Sequence, residues 1–127
     1  MNGLLLFAHG ARDPQWARPF EAVAAHCRES HAGPVVLAFL EFMAPDLVNA
    51  GRKLAAEGCT AVDVVPLFLG AGGHVRKDIP LLLAQLQSAH PDVRWSLRAA
   101  IGEAPAVIAA MAQAALAAGT LPEVAVR

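Results

Sequence analysis

The chain has 127 residues, 56% of them hydrophobic and 17% charged, with a formal net charge of -1. That length suits one domain over 1–127 whose core holds without disulfide or metal staples, and the near-neutral charge excludes general attraction to nucleic acid or acidic membranes, which needs clustered cations. The apolar share exceeds the usual balance of about half apolar and a quarter charged, so some of it is expected to be buried between subunits.

The apolar run after Met1 and Asn2 is too short for a secretory segment with a cationic leader, and no stretch reaches membrane-spanning length. The chain reads as cytoplasmic. Cys27 and Cys59 show no CxxC or other clustered spacing and read as plain thiols in a reducing compartment.

In chain order, apolar runs alternate with segments of helical period, the signature of βαβ units feeding a parallel sheet. A first strand is expected at 3–8. It leads through His9 and Gly10 to a helix opened by Asp13-Pro14, a cap followed by proline at the first helical position, with Phe20, Val23, Ala24 and Cys27 on one face. The second strand, at 35–40, runs directly into Glu41. The second helix starts near Pro45-Asp46, buries Leu47, Ala50, Leu54 and Ala55, and stops at a left-handed Gly58.

A third strand at 61–68 meets the run Gly70-Ala71-Gly72-Gly73, whose three glycines permit positive φ and close backbone approach to a ligand. The third helix carries Ile79, Leu82, Leu83 and Leu86 at i, i+3, i+4 and i+7, with Pro80 in its first turn or marking a kink. A fourth strand at 93–98 precedes a helix from about Glu103-Ala104-Pro105 to Gly119, expected to pack through Val107, Ile108, Met111 and Ala115. The tail from Thr120 is a short extra strand or frayed. The fold class is α/β, an open, flavodoxin-like parallel sheet of about four strands with helices on both faces. Right-handed crossovers put strands one and three side by side at a switch point, where such sheets bind ligands.

Two histidines stand just past strands at that edge, His9 and His74, with Glu41 at the end of a third apolar run. Two imidazoles and a carboxylate suit a divalent transition metal, and imidazoles exchange protons near neutral pH. Arg12 is free to reach an anionic ligand, and Arg76 and Lys77 follow His74. Plainer roles are open for each: His9 hydrogen-bonding a neighbouring loop, Glu41 capping a helix or pairing with Arg12 or Arg76, and Arg76 and Lys77 solvated. The glycine loop lacks GxGxxG spacing and any GK[ST], so a phosphate cradle is the weaker reading. His26, His31 and His90 read as surface or capping residues, Trp16 and Trp95 as packing groups, and Asp46 and Glu103 as lesser site candidates.

These motifs resemble a known family, the small single-domain class II sirohydrochlorin chelatases of the CbiX type. The likeness rests on His9-Gly10-x-Arg12-x-Pro14, on Phe39-Leu40-Glu41 followed by Pro45, and on Pro66-Leu67-Phe68-Leu69-x-x-Gly72-Gly73-His74-x-x-x-Asp78-Ile79-Pro80. Ala11 departs from the serine that many relatives carry, removing a hydroxyl that could bond the substrate. The resemblance implies a chelatase-like domain that inserts a divalent metal, cobalt in the first place, into sirohydrochlorin in cobalamin biosynthesis. It implies His9 and His74 as metal-holding and proton-removing residues and Glu41 as their carboxylate. Arg12, Gly72, Gly73, Arg76 and Lys77 would form the tetrapyrrole-binding rim. It implies no organic cofactor and a homodimer with facing clefts. The same ligand set accepts iron or nickel, which keeps ferrochelatase and nickel chelatase readings open. A non-catalytic metal or tetrapyrrole carrier and a flavodoxin-like nucleotide binder are the readings from other classes.

Overall fold

The computed structural model of the chain describes residues 1–70 and 72–126, with the backbone alone at His74. Its centre is a parallel sheet of β1 (Asn2–Ala8), β2 (Val35–Phe39), β3 (Ala61–Pro66) and β4 (Arg94–Leu97), in the order β2-β1-β3-β4. Strands one and three are therefore neighbours, as expected. The central β1 is apolar on both sides, with Leu5, Leu6, Phe7 and Ala8 all buried, because helices cover it front and back.

On one face, α2 (Leu47–Ala56) and α3 (Gly73–Ala89) close a core of Leu5, Phe7, Leu54, Val62, Leu86 and Trp95. On the other, a 3-10 turn at Pro14–Ala17 and α1 (Arg18–Ser30) cover Leu6, Ala8, Leu37 and Phe39. Asp13 caps the turn by accepting from the Gln15 amide at 2.9 Å, and Asp46 caps α2 by accepting from Asn49 at 2.8 Å. Each cap satisfies amides a helix start leaves unpaired. Gly58 takes φ +94 at the end of α2, the left-handed stop its position implies. Val23, expected on the inner face of α1, is exposed.

Two close approaches tighten the face covered by α2 and α3. A Cβ at Gly51 of α2 would lie 2.6 Å from Leu86 Cδ2 of α3, so the two helices pack at glycine distance. Cys59 is buried beside Gly3; burial and then the Glu57 carboxylate push its thiol up, so it packs as a neutral group. At the outer edge of β2, Arg28 Nε and Nη2 both donate to the Val35 carbonyl, at 3.3 and 3.2 Å.

The fourth helix, α4 (Pro105–Leu116), departs from expectation. None of its residues is buried, and Ile108, Met111 and Leu116 are largely exposed. The helix does not cover the sheet. The far side of β3 is correspondingly half-open at Ala61, Asp63 and Val65, and Asp63 there holds Arg98 at 2.7 Å. Pro80 lies in the interior of α3, not its first turn, since the helix begins at Gly73. Residues 121–126 form no strand. Among the described residues no helix is long and apolar enough to cross a membrane.

Candidate functional site

The site grows from two loops zipped together at the C-terminal edge of the sheet. The ladder between β1 and β2 continues past both strands, with Leu40 N–H donating to Ala8 O at 2.9 Å and Glu41 N–H to His9 O at 3.1 Å. This backbone pairing brings the side chains opposite one another. His9 Nε2 lies 3.2 Å from Glu41 Oε1, with each side chain 48% exposed. Gly10, at φ +93, turns the chain away so tightly that a Cβ there would overlap the Glu41 carbonyl oxygen. The requirement for glycine is thus both conformational and steric.

Glu41 therefore pairs with His9, and the alternatives of Arg12, Arg76 or a helix cap are not what the structure holds. The separation suits a shared ion. Two ligands each about 2.1 Å from a metal, at angles between square and tetrahedral, stand about 3.0 to 3.4 Å apart, so an ion could seat between the two side chains with little movement. Among the described residues no group of three or more His, Cys, Asp and Glu side chains is arranged to hold a metal. The His74 side chain lies outside the described atoms; its backbone belongs to the first turn of α3.

The remaining predicted residues divide between two places. Arg12 joins the His9 loop to the Glu41 loop, its guanidinium 5.0 Å above the Phe42 ring. Arg76 instead lines a cavity of about 180 Å³ beneath α3 with Phe68, Leu97, Ala100 and Glu103. Phe68 connects the places, since its ring and the His9 imidazole meet edge to face with centroids 6.2 Å apart. Gly72 caps α3 and Gly73 is its first residue. Positive φ occurs at neither, nor at Gly70; a Cβ at each would meet open space. These glycines make room without supplying a left-handed turn. Lys77 is exposed on α3.

Phe42 and Phe68 enlarge the set read from sequence, and Glu103, a lesser candidate there, lines the cavity beside Arg76. Phe68 and Phe42 are apolar residues whose sequence positions read as strand and loop, so only the folded arrangement reveals their place beside His9 and Arg12. His31 accepts from Gly33 N–H at 3.1 Å, His90 ends α3, and Trp16 packs on Phe20 at 4.6 Å, so these are structural, as expected.

The CbiX family profile matches residues 3–118. The chain belongs to the CbiX family. It is 33% identical over 87 residues to a protein of Sulfurisphaera tokodaii named sirohydrochlorin cobaltochelatase, covering 68% of this chain and 72% of that one. Matches to further archaeal proteins of that name cover 62% to 64% of their length, so the chain spans a little under two thirds of these relatives. Among solved structures, a putative cobalamin biosynthesis CbiX protein from Marinobacter aquaeolei superposes with a TM-score of 0.83 at 31% identity, covering 93% of this chain and 97% of that one. The residues before α4 cannot alone supply that share, so part of the outlying CbiX helix is matched too. The sirohydrochlorin chelatase SirB from Bacillus subtilis subspecies spizizenii, in complex with cobalt, gives 0.80 at 26% identity, covering 91% of this chain and 50% of that one.

Proposed function

We propose that the chain is a sirohydrochlorin cobaltochelatase, a single chelatase-like domain over 1–127 that inserts cobalt(II), as substrate, into a tetrapyrrole. The observation that carries this reading is the half-exposed His9 and Glu41 pair, 3.2 Å apart, at the sheet edge of a CbiX chain. Insertion needs an ion held loosely, stripped of part of its water and passed to pyrrole nitrogens as two N–H protons leave. A closed four-ligand cage would leave no open position for the macrocycle. A carboxylate and an imidazole at an open edge can grip the ion and then accept protons as the metal moves on. His74, at the start of α3, is the second imidazole. Arg12, Arg76 and Lys77 provide cations for the substrate's carboxylates, while Gly72 and Gly73 leave space for a flat ring. No organic cofactor takes part.

We place the protein in the cytoplasm as a homodimer with facing clefts, and the exposed apolar α4 supports the second subunit. The test is anaerobic incubation of catalytic amounts of protein with sirohydrochlorin and cobalt(II), iron(II) or nickel(II), following the macrocycle absorption. Multiple turnovers fastest with cobalt are expected. Faster turnover with iron or nickel would reassign the metal, and binding without acceleration would make the protein a carrier. Thermal protection by nucleotides but not by tetrapyrroles would overturn the chelatase reading.

A further inference from the structure

Phe42 presents most of its phenyl group to solvent, outside the core. It is 59% exposed and holds φ +66, the one non-glycine residue with positive φ among those described. The turn is closed across it by Met43 N–H donating to Glu41 O at 2.8 Å, which makes Phe42 the centre of the positive-φ form of the γ-turn, a rare and strained arrangement. Glycine or asparagine would take that conformation more easily, and a polar residue would meet water better. Strain held at one exposed position is a mark of a site with a task.

The surroundings say what the task is. Phe42 directly follows Glu41, whose carboxylate meets His9, and one face of its ring carries the Arg12 guanidinium. A ring stacked with a guanidinium offers planar apolar area and positive charge together. The ligand chemistry that matches both is a flat conjugated ring system bearing carboxylates. On the other side of β1, Leu69 follows β3 and is 67% exposed, so apolar side chains flank the His9 loop on both sides.

We infer that Phe42 is the aromatic platform on which the flat macrocycle stacks beside the His9 and Glu41 pair, with Arg12 bound to the ring to engage a carboxylate. This inference rests on the proposed tetrapyrrole substrate and deepens it. The platform gives ring affinity, whereas the imidazole and carboxylate handle the ion.

The test is equilibrium binding of metal-free sirohydrochlorin, which requires no turnover, together with KM values for macrocycle and cobalt(II) and a melting temperature. Phe42→Asn is expected to melt at or above the wild-type temperature, to bind the macrocycle at least tenfold more weakly, and to raise its KM while leaving the KM for cobalt(II) unchanged. Phe42→Trp should keep wild-type binding. Unchanged macrocycle affinity in Phe42→Asn would overturn the platform while leaving the chelatase reading in place. So would weaker binding accompanied by a lower melting temperature or a smaller assembly. No macrocycle binding by the wild-type chain would overturn both.

Discussion

Gly10 and Glu41 touch so closely that the α-carbon of one lies against the carbonyl oxygen of the other, with no room for a methyl group between them. That contact holds the His9 loop against the Glu41 loop. Gly10→Ala would meet both the overlap and an unfavourable φ of +93, at a cost of about 1 to 3 kcal/mol. We expect a melting temperature lower by roughly 5 to 10 °C and loss of insertion activity; a variant as stable and active as wild type would show that the loops can part without consequence.

The His9 and Glu41 pair should matter to chemistry far more than to folding. Both side chains are half-exposed, so their attraction contributes under about 1 kcal/mol. His9→Ala is expected to melt within a few degrees of wild type while insertion falls by about a hundredfold or more. His74→Ala should abolish insertion with the fold intact. Anaerobic rate measurements paired with thermal melts check both variants, and retained turnover in either would remove that histidine from the reaction.

Association should depend on α4. Ile108 and Met111 are exposed three residues apart and share a face, and no residue of the helix is buried by the described part of its own chain. The double change Ile108→Glu with Met111→Glu is therefore expected to leave the subunit folded, since exposed substitutions seldom change stability by more than about 0.5 kcal/mol. In sedimentation the proposed dimer should become monomeric. An unchanged mass would place the interface elsewhere.

Gly51 offers a prediction whose sign is informative. Glycine to alanine inside a helix ordinarily stabilises by about 1 kcal/mol. Here the new methyl would press on Leu86 at 2.6 to 2.7 Å, and overpacking costs about 1 to 3 kcal/mol. Gly51→Ala should destabilise, and the same change in a Leu86→Ala background should become neutral or favourable. Chemical denaturation of the four proteins measures this coupling directly.

The sheet was legible because its signals are local. Leu4 to Ala8 and Val35 to Leu40 are continuous apolar runs, and Asp13, Asp46 and Gly58 carry the side chains, or lack of one, that start and stop helices. His9 and Glu41 were legible because each breaks an apolar run at its end. What escaped depends on partners. In α4, alanines surround Val107, Ile108 and Met111 on every side, so apolar spacing identifies a helix without saying what covers it. Gly70, Gly72 and Gly73 look suited to positive φ, but a helix starting at Gly73 removes the need. Phe42 follows Glu41 as an ordinary loop residue, and only the pairing of two distant loops makes its backbone turn back. The sequence leaves Glu41 open between the histidine site, Arg12, Arg76 and a helix cap, and the extended ladder beyond β1 and β2 is what selects His9.

The outer edge of β2 has a consequence for how copies of the chain can meet. Arg28 occupies the Val35 carbonyl, and at the opposite end Pro45 O accepts from Phe39 N–H at 2.9 Å. A visiting strand would find both ends of this border already bonded, which is one way natural sheets resist joining rim to rim. Sheet-to-sheet growth, which has no natural stopping point, is discouraged there, and a closed pair joined through a helix remains the easier union.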